Sequence, residues 1–319
     1  MMTSATLEPM NAICCFICIT TGIISQIRQG GNHMKKKTYT VAGAAFTAAA
    51  LALSYHENRC LDVCHLRVRS AKLPASFAGF RIVQLSDLHT TRFGYHQKHL
   101  LRKIRMSAPD IIVITGDLID RRRTAKNTMQ PVVQLIKQAV TVAPVYYVPG
   151  NHEAVSPIYP HLKQVLLDYG VQVLENSKLE LSRKEESISI LGLKDKKFYP
   201  YASDRYFMNL HNLMQTVDTS FSILLSHRPE HFADYAREGV SLAFCGHAHG
   251  GQIVVPKLGA LYAPDQGIFP SYTDGAYELN GCTMVVSRGL GNSRAPQRIN
   301  NRPQVMVVTL QMEESTACK

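Results

Sequence analysis

The chain has 319 residues, 45% of them hydrophobic and 18% charged. That composition supports one large core, or a domain with an accessory segment, and excludes collagen-like, disordered and disulfide-dense chains. The formal charge of +11 reads first as a generally basic surface and, more sharply, suits a membrane surface or a phosphorylated substrate; nucleic acid is the weakest partner class, because no aromatic-basic stripe follows Lys35-Lys36-Lys37 or Arg121-Arg122-Arg123.

In chain order, the leader comes first. Residues 13–24 (ICCFICITTGII) form a short apolar run without a strong basic flank. Met34 then opens three lysines and an uncharged segment at about 38–56, whose apolar centre, 41–53, is rich in alanine. Met34 reads as a natural start, which makes residues 1–33 an over-extended leader. The 38–56 segment fits a signal peptide, with an apolar run of about 7–15 residues and a small-residue cut at Ala50-Leu51-Ala52. It also fits, loosely, a single membrane anchor of about 20 residues. Either way the lysines stay in the cytoplasm and the rest of the chain faces outward, anchored or secreted. The expected organisation is a leader at 1–56, a linker with a first strand at 57–78, the main domain at 79–312 and a polar tail at 313–319.

The cysteines form no framework. Cys14, Cys15 and Cys18 lie in the leader, and Cys60 and Cys64 have the wrong spacing for a zinc pair. Cys245, Cys282 and Cys318 stand alone and read as small apolar side chains.

Five apolar runs follow, each stopped by Gly, Pro or a polar residue, as buried strands are. FRIVQLSDLH ends in Asp87 and His89, DIIVITGDLID in Asp117, and VYYVPGNHE in Asn151 and His152. FSILLSHRPE ends in His227, and SLAFCGHAHG in His247 and His249. Between the first three lie helix-like stretches, one with Leu100, Leu101, Ile104 and Met106 as its apolar positions, the other MQPVVQLIKQAV. The repeat of strand, helix and strand takes about 30 residues, and parallel strands so connected gather their C-terminal ends at one ligand-binding edge.

Residues i and i+2 of an extended chain point the same way. Asp87/His89 and His247/His249 therefore present paired side chains, and the glycines of CGHAHGG leave room for an ion. Two Asp, one Asn and four His are too many donors for one tetrahedral zinc. Mixed oxygen and imidazole donors suit two Mn, Fe or Zn ions that share a carboxylate. His96, His99, His161, His211 and His231 read as ordinary core or surface side chains.

These motifs resemble the calcineurin-like metallophosphoesterases: DLH at 87–89, GD at 116–117, GNHE at 150–153, His227 and GHAH at 246–249. The finer texture, KLPASFAGFRIVQLSDLH, SHRPE, GHAHGGQ and SRGLGNSRAPQRINNRP, is similar to the YkuE/YaeI-type bacterial branch. The resemblance implies an α/β fold, a four-layer αββα sandwich of two mixed sheets, with SISILGLKD, TMVVSRGL and QVMVVTLQ as strands of the second sheet. It implies that Asp87, His89 and His249 hold one metal, that Asn151, His227 and His247 hold the other, and that Asp117 bridges them. His152 is implied to stand outside the metal shell and to steady or protonate the leaving oxygen. The implied reaction is hydrolysis of a phosphodiester, phosphomonoester or pyrophosphate by a metal-bridging hydroxide. The expected substrate is envelope- or lipid-linked, with a UDP-diacylglucosamine-type pyrophosphate among the candidates. Two alternatives stand beside it. GNHE and G-D-x-x-D-R also resemble Ser/Thr phosphoprotein phosphatases, but Ser86 and Arg122 replace that class's glycines. A membrane-tethered metal-binding protein without turnover is disfavoured, because no ligand position of the motif is missing.

Overall fold

The computed structural model describes residues 32–202, 204–292 and 297–313. The 13–24 run, Cys14, Cys15, Cys18, Cys318 and most of the expected tail lie outside those residues. The chain divides into two compact units, 1–56 and 57–319. The 38–56 run lies in a helix, Asn32–Arg59, on which Val41, Phe46, Leu51 and Leu53 are exposed. Among the described residues, no helix is long and apolar enough to cross a membrane.

The second unit is built from strands β1 (Asp62–Ser70), β2 (Arg81–Leu85), β3 (Ile111–Thr115), β4 (Val145–Val148), β5 (Gln172–Val173), β6 (Ser177–Arg183), β7 (Glu186–Gly192), β8 (Ser222–Leu225) and β9 (Leu242–Cys245). Two short ribbons follow, β10 (Val254–Val255) with β11 (Gly259–Ala260), and β12 (Tyr262–Ala263) with β13 (Gly267–Ile268). The last strands are β14 (Gly275–Leu279), β15 (Cys282–Val286) and β16 (Gln304–Met312).

One sheet has the order β1-β16-β2-β3-β4-β5, the other β14-β15-β9-β8-β7-β6. Both are mixed: β2 to β5 run parallel but β16 is antiparallel to β2, while β7, β8, β9 and β15 run parallel between antiparallel edges. Side-chain alternation explains the layering. Ile82, Val113, Val148, Ile223 and Phe244 face the space between the sheets. Val83, Ile112, Ile114 and Tyr147 face the other way, onto the helices Lys98–Met106, Gln130–Ala139 and Tyr159–Asp168. Leu224, Ala243 and Met284 pack against Asp204–Gln215 and Phe232–Arg237. The four-layer αββα sandwich is thus present.

Two expectations are corrected. QVMVVTLQ does not join the second sheet: it forms β16, inserted in the first between β1, to which it runs parallel, and β2. Its apolar residues alternate cleanly, Val305 and Val307 toward the helices and Met306 and Val308 toward the other sheet, so it fills a central position. Met106 is 75% exposed, whereas Leu100, Leu101 and Ile104 are buried. On a helix of 3.6 residues per turn it falls off the stripe that those three define.

Candidate metal centre

The five ligand-bearing runs split between the sheets. β2, β3 and β4 end at Asp87/His89, Asp117 and Asn151/His152, while β8 and β9 end at His227 and His247/His249. Every one of these side chains is buried. A cross-sheet link aligns the two edges: Gln84 donates from Nε2 to Thr115 Oγ1 (3.0 Å) and to the Cys245 carbonyl (2.8 Å).

The paired residues are not extended. Asp87, His89, Asp117, His247 and His249 have φ of +51°, +46°, +53°, +67° and +50°. Asp and His enter this left-handed region more readily than most side chains, yet each instance costs on the order of 1–3 kcal/mol. Backbone bonds hold it, from Asp87 N to Gly116 O and from His89 N to Asp117 O (both 3.0 Å). The expectation that each pair aims at one point is half right: Asp87 and His89 share a group, but His247 and His249 fall in different ones. The glycines also serve another purpose than making room for an ion. A Cβ on Gly246 would stand 1.9 Å from Ser86 Oγ, and one on Gly250 2.2 Å from Asn301 Oδ1. The space they leave is filled by neighbouring loops.

Asp87, His89 and His249 form one group of possible metal ligands, with donor atoms all within 4.8 Å of one another, and Asp117, His227 and His247 form a second. Asn151 Oδ1 joins the second at 3.2 Å from His227 Nε2. Asp117 Oδ2 lies 3.3 Å from His227 Nε2 and 3.8 Å from His89 Nε2, within reach of both groups.

The donor set fits cations. Asp87 Oδ1 is buried with no hydrogen-bond partner, 3.4 Å from His249 Nε2 and 3.9 Å from His89 Nε2. His89 Nδ1 faces the Ile119 carbonyl (3.2 Å) and His227 Nδ1 the Thr115 carbonyl (2.7 Å). An Nδ1–H directed at each carbonyl turns each Nε2 to the centre, the arrangement of a metal-ligating histidine. Burial lowers His249 to about 3, so its ring is neutral. Burial also opposes charge on His227, but Asp117 and Asp87 outweigh it and raise that ring to about 10. Two buried carboxylates thus draw positive charge into the cluster.

His152 stands beside it, with Nε2 3.9 Å from Asp117 Oδ2. Arg121 N donates to its Nδ1 (3.1 Å), which puts the proton of the neutral ring on Nε2. Burial lowers it to about 4, with His89 and His227 adding to the effect against Asp117 and Asp120.

The sequence profile of the calcineurin-like phosphoesterases matches residues 80–251, a stretch that contains all eight of these side chains. The chain belongs to that family. Among its relatives, the metallophosphoesterase YkuE of Bacillus subtilis is 32% identical over 259 residues, 80% of this chain and 87% of that protein. The phosphodiesterase YaeI of Escherichia coli is 27% identical over 263 residues, 77% of this chain and 87% of YaeI. A transmembrane protein with metallophosphoesterase domain from Danio rerio is 27% identical over 259 residues, 78% of this chain and 57% of that protein. As a calcineurin-like phosphoesterase, the chain is a metal-dependent phosphoester hydrolase.

Three supporting residues of this phosphoesterase were not singled out from the sequence. Glu153, inside the quoted GNHE, accepts from the backbone N–H groups of Asp117 (2.9 Å), Gly150 (2.8 Å) and Ile119 (3.2 Å), which ties the β3 turn to the β4 turn. Burial and the nearby Asp117 push it up to about 8 against those donors. Arg228, inside SHRPE, is fully buried and donates to both oxygens of Asp195 (2.5 and 3.0 Å), a residue that follows β7. Arg298, in the late motif, donates to the carbonyls of Gly291 (2.7 Å), Arg288 (2.9 Å) and Asn301 (3.2 Å). Asn301 in turn donates to the His249 carbonyl (2.7 Å), and Gly291 N to the Asp87 carbonyl (2.6 Å), so the late loop braces two predicted ligands from behind. The signals were present as charged residues inside apolar-flanked motifs. Their partners, being distant in sequence, were not visible.

Arg121, Arg122 and Arg123 are exposed, and Arg123 pairs with Asp120 at 2.7 Å.

Proposed function

We propose that the chain holds two divalent cations and hydrolyses a phosphodiester, phosphomonoester or pyrophosphate bond. Asp87, His89 and His249 hold one cation, Asn151, His227 and His247 the other, and Asp117 bridges them. The reach of Asp117 Oδ2 into both groups carries this reading. The donor chemistry favours Mn, Fe or Zn. When bound, the cations neutralise phosphoryl charge and make an attacking water more acidic. Asp117 Oδ1 accepts from His152 N (2.8 Å), which seats that residue beside the reacting centre. Its neutral ring, with the proton on Nε2, donates a hydrogen bond to the leaving oxygen as charge develops there.

The substrate we infer is envelope- or lipid-linked. The apolar 38–56 run behind three lysines, the +11 charge and the membrane setting named for the Danio rerio relative support it. On this reading the catalytic unit works outside the cytoplasm, tethered by that run or released after its cleavage. A phosphoprotein substrate is disfavoured by Ser86 and Arg122.

Asp117→Asn tests the site. The variant should lose both cations in elemental analysis and most hydrolysis of a chromogenic phosphodiester. Wild-type metal content with a wild-type rate would remove the basis of the proposal. A metal-supplemented screen of monoesters, diesters and acylated nucleotide-sugar pyrophosphates then tests the substrate class.

A further inference from the structure

His247 Nε2 lies between two groups that make opposite demands on it. Asp265 Oδ2 is 2.9 Å away and Arg228 Nη1 3.1 Å away. A carboxylate only accepts, so a bond to Asp265 requires a proton on Nε2. A guanidinium only donates, so a bond from Arg228 requires an Nε2 lone pair and moves the neutral ring's proton to Nδ1. With Nε2 taken up by these two neighbours, Nδ1 is the ring atom left for the group formed with Asp117 and His227, and the first arrangement leaves it a lone pair. The second blocks it.

The surroundings decide between them. Arg228 Nη1 has other acceptors, Glu230 Oε1 at 3.3 Å and Asp265 itself, and its remaining fork is taken by Asp195. It does not need the imidazole. The cluster Glu230, His247 and Asp265, which could otherwise hold a metal, already encloses a cation, the Arg228 guanidinium. We propose that Asp265 is a positioning residue: it selects the Nε2–H tautomer of His247 and thereby frees Nδ1 as a ligand for the second cation. The ligand role rests on the binuclear reading above; the tautomer does not.

Asp265 sits in the turn between β12 and β13, outside the stretch matched by the family profile. Nothing in its local sequence, YAPDQGIF, marks it. The hairpin that carries it also exposes Tyr262 and Ile268, a directly opposed cross-strand pair.

The test uses the full chain, labelled with ¹⁵N-histidine and stripped of metal. Wild-type His247 should show the Nε2–H tautomer in long-range ¹H–¹⁵N spectra, and Asp265→Ala should shift it toward Nδ1–H. On titration with Mn²⁺ or Zn²⁺, Asp265→Ala should weaken uptake of the second cation about 10- to 100-fold and leave the first unchanged. Asp265→Glu should restore part of the loss. Glu230→Gln, which removes a carboxylate from Arg228 but none that is hydrogen-bonded to His247, should bind both cations as wild type does. An Nδ1–H tautomer in the wild type, or no change of tautomer in Asp265→Ala, overturns the inference. Equal weakening by Glu230→Gln, or wild-type uptake of both cations by Asp265→Ala, overturns it as well. A wild-type chain that takes up no second cation overturns the binuclear reading, while the tautomer still decides what Asp265 does.

Discussion

The two halves of the centre are held by opposite means. On the first sheet the ligand turns are joined by a carboxylate, Glu153, which gathers three backbone N–H groups. On the second they are joined by a guanidinium, Arg228, which gathers Asp195, Glu230 and Asp265 and touches His247. The difference follows from what each half presents. The first supplies both carboxylates and the carboxamide, on turns whose left-handed residues leave N–H groups in need of acceptors. The second supplies only imidazoles, whose lone pairs must be turned the right way. A brace of acceptor oxygens suits loose N–H groups, and an ionic cluster suits rings that need a fixed tautomer.

Several changes would break or sharpen that contrast. Arg228→Met should have the largest effect on folding, about 3–5 kcal/mol, because it strands the buried Asp195 without its partner. Denaturant melts would measure it, and His247 uptake of metal should suffer while the Asp87 group keeps its ion. A near-neutral result would mean that the second half does not depend on its guanidinium. His152→Gln should lower turnover about 10²- to 10³-fold and leave both halves loaded. A matching loss of metal would make His152 a support of the cluster and not a group facing substrate.

Glu153→Gln should destabilise the chain by about 1–3 kcal/mol, because its amide turns a donor toward N–H groups that need an acceptor. Its damage should fall on the turns that carry Asp117 and Asn151, the first sheet's donors to the His247 group, and unchanged metal uptake by that group would remove Glu153 from the support of the site. The smallest effect is expected at Glu175, which accepts from Tyr159 (2.7 Å) and pairs with Lys163. Burial works against the charge, but Lys163 and Tyr159 hold this carboxyl below its ordinary value of 4.5. The pair therefore adds stability above about pH 4.5 and loses it as the pH falls through the lowered value. Glu175→Gln should cost about 1 kcal/mol or less near neutral pH, a gap that closes on acidification and leaves metal uptake untouched.

Much of the site was legible because each predicted ligand is a polar residue at the end of an apolar run, and each run is a strand. The reason those ends meet was only partly legible. Pattern alone suggests one sheet edge, whereas the candidate ligands come from two sheets linked by Gln84 and the Cys245 carbonyl. QVMVVTLQ shows the same limit. Its alternation declares a strand, but two-faced burial suits either sheet, and only pairing with β1 and β2 chooses the first. The i, i+2 argument assumed an extended chain, but positive φ turns Asp87, His89, His247 and His249 alike out of the pleat, and only the fold brings the first two into one group and sends the last two to different ones.

Local chemistry by itself determined which side chains can bind a cation and that they stand at strand ends, because donor type and apolar periodicity are properties of short stretches. Tertiary structure alone decided which donors share a group, which nitrogen of each ring faces inward, and that Glu153, Arg228 and Asp265 support them. Those outcomes depend on hydrogen-bond partners tens of residues away, and a buried polar atom takes whichever partner the packed fold brings within 3 Å or so.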